Sequence, residues 1–69
     1  MSNVDMSKFS TEDLLTDLAD SDADIIVCEN ALRLGITEYS GGKTQHRLDV
    51  NRKIAAKIRA ELARRGANA

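Results

Sequence analysis

The chain has 69 residues, a formal net charge of −1 and no proline, and its single cysteine, Cys28, excludes an intrachain disulfide. A chain this short has only a small core, so small domains usually gain stability from disulfides, a metal or a second subunit. Structural zinc sites usually need four ligands, and Cys28 and His46 are the only cysteine and histidine, so no metal is predicted. Self-association is the predicted source of stability.

Two further absences in the sequence bear on location. The N-terminus lacks the apolar core of a signal peptide, and no segment reaches the roughly 18 apolar residues of a membrane span. We therefore predict a cytoplasmic protein without a membrane partner.

The two ends of the chain carry opposite charge. Residues 1–31 hold eight acids against one base, a net of −7, and residues 32–69 hold nine bases against three acids, a net of +6. Such asymmetry can guide self-assembly or mark one face for a charged partner.

The first third of the chain predicts a loose arm followed by a short helix. Residues 1–9 show no periodicity and form the arm. Ser10 is predicted to be the N-cap of a helix over 11–19, because Asp13 follows three residues later as in a capping box.

A second helix is predicted over 22–34. Asp20 and Ser21 interrupt the apolar pattern, and Ser21 with Asp24 repeats the capping logic. The apolar run over 25–28 is also compatible with a short strand, but the continuation to Gly35, a suitable residue to follow a helix end, favours helix. Because this run leaves little polar surface, we expect the second helix to be the buried centre of the assembly.

Residues 35–43 predict a loop. Ile36 and Tyr39 are expected to turn inward from it, although an exposed tyrosine would suit a partner-binding anchor. Gly42-Lys43-Thr44 has the ending of a phosphate-binding loop, but Thr37 stands where that motif needs its first glycine. We therefore predict Thr44 as an N-cap and no nucleotide or other cofactor.

The third predicted helix, over 44–65, is long and ends before Gly66. One side is a stripe with the spacing of a core or a dimer seam. Its members are Leu48, Asn51, Ile54, Ala55, Ile58 and Leu62. Asn51 either fixes the register of paired helices or bonds to a loop carbonyl within one chain.

The other side of that helix is basic and forms, with Tyr39, the candidate partner-binding face. Its charged members are Arg52, Lys53, Lys57, Arg59 and Arg64. A helix-turn-helix reader of DNA has a turn of three or four residues, whereas the loop here has nine, so a protein partner is favoured over nucleic acid. A small DNA-binding transcriptional regulator is the alternative.

These observations predict an all-α fold of two short helices and one long C-terminal helix, a helical hairpin or bundle in a single domain completed by homodimerisation. No paired acid and base, metal set or activated nucleophile is visible, so no catalytic residue is assigned and a non-enzymatic binding protein is predicted.

A resemblance points the same way. The stretch from Cys28 to Gly66 contains GITEYSGG at 35–42 and RLDVNR at 47–52. It resembles small accessory proteins encoded by phages and prophages over a little more than half the chain. The resemblance implies a protein that binds a host or phage macromolecule and modulates or inhibits it, and it carries over no functional residues.

Overall fold

The computed structural model describes residues 5–39 and 41–67. It consists of a short 3₁₀ turn at Met6–Lys8, helix α1 at Thr11–Arg33, strands β1 at Glu38–Tyr39 and β2 at Gly42–Lys43, and helix α2 at Thr44–Arg64. The two helices form an antiparallel hairpin, and the two short strands lie at the turn between them. Residues 1–4 of the predicted arm and residues 68–69 of the tail lie outside the described residues.

The prediction of two short helices followed by one long helix is wrong, because α1 is a single helix of 23 residues and α2 has 21. Ser21 does not cap a second helix but is buried within the first. No glycine or proline lies between Ser10 and Gly35, so no residue of the kind that breaks a helix interrupts the backbone ladder. A serine is small enough to occupy a core position of a continuous helix.

Both helices carry the same inward spacing, which explains how they pair. Steps alternate between three and four residues, so each seam stays on one side of its helix. The seam of α1 is Leu14, Leu18, Ser21, Ile25, Cys28 and Leu32, and the seam of α2 is Thr44, Leu48, Asn51, Ala55, Ile58 and Leu62. Because the helices run in opposite directions, Leu14 comes level with Leu62, and Cys28 with Leu48.

The main core cluster lies in the half of the hairpin away from the turn. It contains Leu14, Leu18, Ala55, Ile58 and Leu62, with Met6, Ile25, Ile54 and Ala67 packed against it. The predicted stripe on the long helix therefore packs against α1 of the same chain. Since α1 is as long as α2, this stripe is not left uncovered for a second subunit.

The ends of both helices have clear local causes. Ser10 caps α1 as predicted, because its Oγ accepts a hydrogen bond from the Asp13 amide at 3.0 Å. At the other end, Gly35 has a φ of 80° and the Ile36 amide bonds to the Ala31 carbonyl at 2.8 Å. These are the features of a Schellman motif, in which a glycine takes the left-handed conformation.

The segment between the helices is not the plain loop that was predicted. Its antiparallel strands pair Glu38 with Lys43 and Tyr39 with Gly42. Opposite charges then face each other, with Lys43 Nζ 3.5 Å from Glu38 Oε2. The Thr44 amide also bonds to the Thr37 carbonyl at 2.9 Å, which fixes the start of α2 to the turn.

Thr44 is not the N-cap that was predicted. Lys43 occupies the cap position without a side-chain hydrogen bond, and Thr44 is the first residue of α2 and fully buried. Its hydroxyl has no hydrogen-bond partner among the described residues.

Candidate binding surfaces

The opposite charges of the two ends of the chain meet inside the hairpin. Arginines of α2 pair with acids of α1 in three cross-helix ion pairs. They are Arg47–Asp24 at 3.1 Å, Arg52–Glu29 at 2.9 Å and Arg59–Asp22 at 2.7 Å. Each pair is partly exposed and so contributes only about 0.2–1 kcal/mol. Their common effect is to favour one antiparallel register.

This pairing reduces the basic face that the sequence predicted. Arg52 and Arg59 are neutralised by α1, and Arg64 pairs with Glu61 on its own helix. Within residues 5–39 and 41–67, only Lys53 and Lys57 of the predicted basic set have no ion-pair partner. The charge available to an external partner is therefore smaller than the composition indicates.

Tyr39 and Ile36 do not turn inward as expected. Both side chains are exposed. The Arg47 guanidinium lies over the Tyr39 ring, with its Cζ atom 5.4 Å from the ring centroid. Such a cation–π contact contributes about 0.5–1 kcal/mol at an exposed site. The contact holds the tyrosine ring at the turn without burying it.

Asn51 bonds within the chain, although not to a loop carbonyl. Its Nδ2 donates to the Arg47 carbonyl at 2.9 Å and to Asp24 Oδ2 at 3.3 Å. Arg47 donates to the same carboxylate oxygen, so Asp24 joins both residues of α2. This half-buried network of hydrogen bonds joins the polar side chains of the two helices within one chain.

The other predicted residues of the stripe lie in the hairpin core. Leu48, Ala55, Ile58 and Leu62 are buried, and Ile54 is half-buried at the edge of the cluster. Cys28 is buried and free, as the apolar run around it predicted. The rest of this run is not buried within one chain, because Ile26 and Val27 are exposed on α1.

Sequence reasoning named Tyr39 as a candidate partner-binding residue but missed the exposed apolar residues that accompany it at the turn. Leu34 is 77% exposed, Ile36 45% and Tyr39 36%, and all three lie within six residues. We call these three residues the apolar tip. The available signal was that Leu34 lies off the three- and four-residue steps of the α1 seam, so its side chain is not directed at α2.

The sequence also gave no prediction for a row of acids on α1. Asp13, Asp17, Asp20 and Asp24 follow steps of four, three and four residues, which places them on one side of the helix. Only Asp24 has an ion-pair partner among the described residues. Like charges at these spacings repel each other, so this row destabilises the isolated helix slightly.

Glu61 is the acid whose titration the fold changes most. Hydrogen bonds from Arg64 and then Arg65 lower its pKa from an ordinary 4.5 to about 2, although burial opposes them. The same contact raises the pKa of Arg64. Both arginines lie at the end of α2, and Arg65 also reaches the segment before α1.

The lowered pKa of Glu61 predicts a specific loss of stability in acid. Between these two pKa values the folded chain binds fewer protons at Glu61 than the unfolded chain. The stabilisation of the fold by ionised Glu61 is therefore complete above pH 4.5 and disappears as the pH falls towards 2. Urea unfolding of wild type and Glu61→Gln should therefore differ most near neutral pH and converge in acid. A difference that stays constant over this range would contradict the assigned ion pairs.

Two classes of site find no support in the described part of the chain. No group of three or more His, Cys, Asp or Glu residues there could hold a metal ion. Among the helices of the described residues, none is long and apolar enough to cross a membrane.

Comparison with protein-family models, with curated proteins and with solved structures found no match to this chain.

Proposed function

We propose that this chain is a small, non-enzymatic binding module that presents its apolar tip to a pocket on another protein and thereby modulates or inhibits that protein. The observation that carries this proposal is that Leu34, Ile36 and Tyr39, three residues close together in the chain, are all exposed. Exposed apolar residues scattered singly are ordinary, whereas contiguous apolar patches mark interaction sites, so a cluster of three within six residues makes the turn the best candidate. Transfer of an exposed leucine into an apolar pocket gains about 1.5–3 kcal/mol.

The rigidity of the tip supports the same function. The Schellman turn at Gly35, the strand pairing of Tyr39 with Gly42 and the Arg47–Tyr39 contact all restrict this segment. A surface that is ordered before binding loses less conformational entropy when it docks. Tyrosine is also enriched among residues that dominate binding energy.

The charge distribution supports a protein partner over nucleic acid. DNA-binding affinity comes largely from lysines and arginines that neutralise phosphates. On α2, Arg47, Arg52 and Arg59 instead pair with acids of α1. The resemblance to phage and prophage accessory proteins suggests a host or phage protein as the partner, and a buried free thiol at Cys28 suits the reducing cytoplasm.

The proposal is tested by changing the tip and leaving the helices intact. Leu34→Asp should reduce capture of the partner from nuclease-treated bacterial lysate by at least about tenfold, because a carboxylate cannot enter an apolar pocket without losing its hydration. Leu15→Asp is the matched control, since Leu15 is also an exposed leucine but lies near the start of α1, far from the turn. Quantitative mass spectrometry compares the captured proteins, and circular dichroism verifies that both variants are helical.

Two outcomes would contradict this function. Equal capture by both variants would mean that the tip is not the binding site. Tight binding of wild type to random duplex DNA, with an affinity that falls steeply between about 50 and 200 mM salt, would instead favour the DNA-binding alternative.

A further inference from the structure

The hairpin is only one helix thick. Its principal extents are 39 × 27 × 14 Å, and a single helix with its side chains is about 10–12 Å across. Stable domains usually pack two layers of secondary structure around a core. In the described part of the chain, one layer leaves both broad faces of the hairpin uncovered, so a second layer from outside would complete the usual architecture.

One of these broad faces combines apolar residues with unpaired charge. On α1 it carries the acid row and then Val27, three residues beyond Asp24. On α2 it carries Val50, Ile54 and Lys57, which continue in steps of three and four from Arg47. The Asp24–Arg47 ion pair shows that the two rows lie on the same side of the hairpin. We call this surface the acid-row face.

The two rows of the acid-row face correspond in level along the hairpin. The register of the two seams lies between the registers of the cross-helix ion pairs, and it places Val27 approximately level with Val50, and Asp20 approximately level with Lys57. Val27 and Val50 are both exposed, and neither Asp20 nor Lys57 has an ion-pair partner among the described residues. At the same level, each row therefore has a group that would complement the other: an exposed valine faces a valine, and an acid faces a lysine.

We propose that a second copy of this chain covers the acid-row face, so that two hairpins form a four-helix bundle. The two-fold axis runs parallel to the helices and leaves both turns at the same end. This rotation stacks α1 of one copy on α2 of the other and leaves the position of every residue along the helix axis unchanged. Asp20 then meets Lys57 of the partner subunit, and Val27 meets Val50 of the partner subunit, each contact occurring twice.

Charge selects this axis over the other possible two-fold axis. An axis perpendicular to the helices would stack α1 on α1 and bring the two acid rows together, which like-charge repulsion opposes.

The acid-row face is also large enough for a stable dimer. Its outline of 39 × 27 Å is comparable with the roughly 800 Å² that each partner contributes to a standard interface.

This arrangement has a consequence for binding that rests on the proposed function. Two apolar tips would lie side by side at one end of the bundle. A target with two equivalent pockets could then bind both tips, and the second contact would form at the high effective concentration set by the first. The dimer itself does not depend on the tip, so the two proposals can fail separately.

Charge reversal tests the dimer and its axis together. Sedimentation equilibrium of wild type at about 100 µM should give twice the chain mass. Asp20→Lys alone and Lys57→Glu alone should each raise the dimer dissociation constant by at least about tenfold, because each places like charges at both symmetric sites. Mixing the two variants should restore the dimer, since every contact in the mixed pair again joins opposite charges.

The matched control is Asp49→Lys, which reverses an exposed acid of α2 on the opposite side of the hairpin. It should dimerise like wild type, and circular dichroism should show that all variants are helical. A wild-type monomer at 100 µM would overturn the dimer, whatever the tip captures. A wild-type dimer that neither charge reversal weakens, or that mixing does not restore, would overturn this axis and face.

Discussion

Replacing Ile58 by alanine should lower the free energy of unfolding by about 2–5 kcal/mol. Ile58 is 1% exposed and belongs to the cluster that joins the two helices. A chain of this size has a total stability of only about 3–10 kcal/mol, so the loss would be a large part of it. Urea unfolding at one fixed protein concentration measures the effect.

The chain supplies a matched control for this substitution. Ile26→Ala removes the same atoms from a side chain that is 59% exposed. Little apolar surface is recovered there on folding and no cavity is left, so the loss should stay within about 0.5 kcal/mol. Similar losses for the two variants would mean that Ile58 does not lie in the main core.

The sequence was most informative where one local pattern settled the outcome. Ser10 with Asp13 predicted the N-cap of α1, and the capping bond has the expected geometry. The apolar positions of α2 predicted its inward side. In each case the signal depends only on residues within one helix, so it does not require knowledge of what packs against it.

The misplaced helix break shows where a local signal fails. Ser21 and Asp24 have the spacing of a capping box, but the same two residues also continue the inward and lateral rows of one long helix. Capping favours a break by about 1 kcal/mol. Packing of Leu14, Leu18 and Ile25 along one continuous seam exceeds that, and only the position of α2 reveals it.

The exposed apolar residues could not be predicted for a related reason. Each helix of a hairpin has one neighbour, so most of its circumference remains uncovered within one chain. The sequence indicates that Ile26, Val27 and Cys28 are apolar but not which of them faces α2. Cys28 does, while the other two are exposed.

The charge split had two possible explanations, attraction within the chain or attraction between chains, and the hairpin accounts for part of it. A −7 half and a +6 half predict attraction but not whether it acts within or between chains. The turn folds the basic half back along the acidic half, and three ion pairs result. Among the charges without an ion-pair partner in the described residues are Asp13, Asp17 and Asp20 of the acid row and Lys53 and Lys57 of α2, and these are the basis for the proposed dimer.

The second large effect is expected at Arg65, which fastens the segment before α1 to the end of α2. Its guanidinium donates to the carbonyls of Met6 at 2.9 Å and Phe9 at 2.6 Å, to Thr11 Oγ1 at 3.0 Å and to Glu61 at 2.7 Å. The side chain is 18% exposed. A hydrogen bond from a charged group contributes about 1.5–3 kcal/mol, so Arg65→Ala should cost about 2–4 kcal/mol in unfolding free energy.

The location of that loss separates a fastening role from a general loss of charge. In Arg65→Ala, the amides of Lys8 and Phe9 should exchange hydrogen faster, because their 3₁₀ turn is no longer held against α2. Arg64→Ala is the control, since Arg64 is 63% exposed and bonds only to Glu61 among the described residues. It should cost less than about 1 kcal/mol and leave exchange at Lys8 and Phe9 unchanged. Equal effects of the two variants on this exchange would show that the segment before α1 is held by something other than the Arg65 guanidinium.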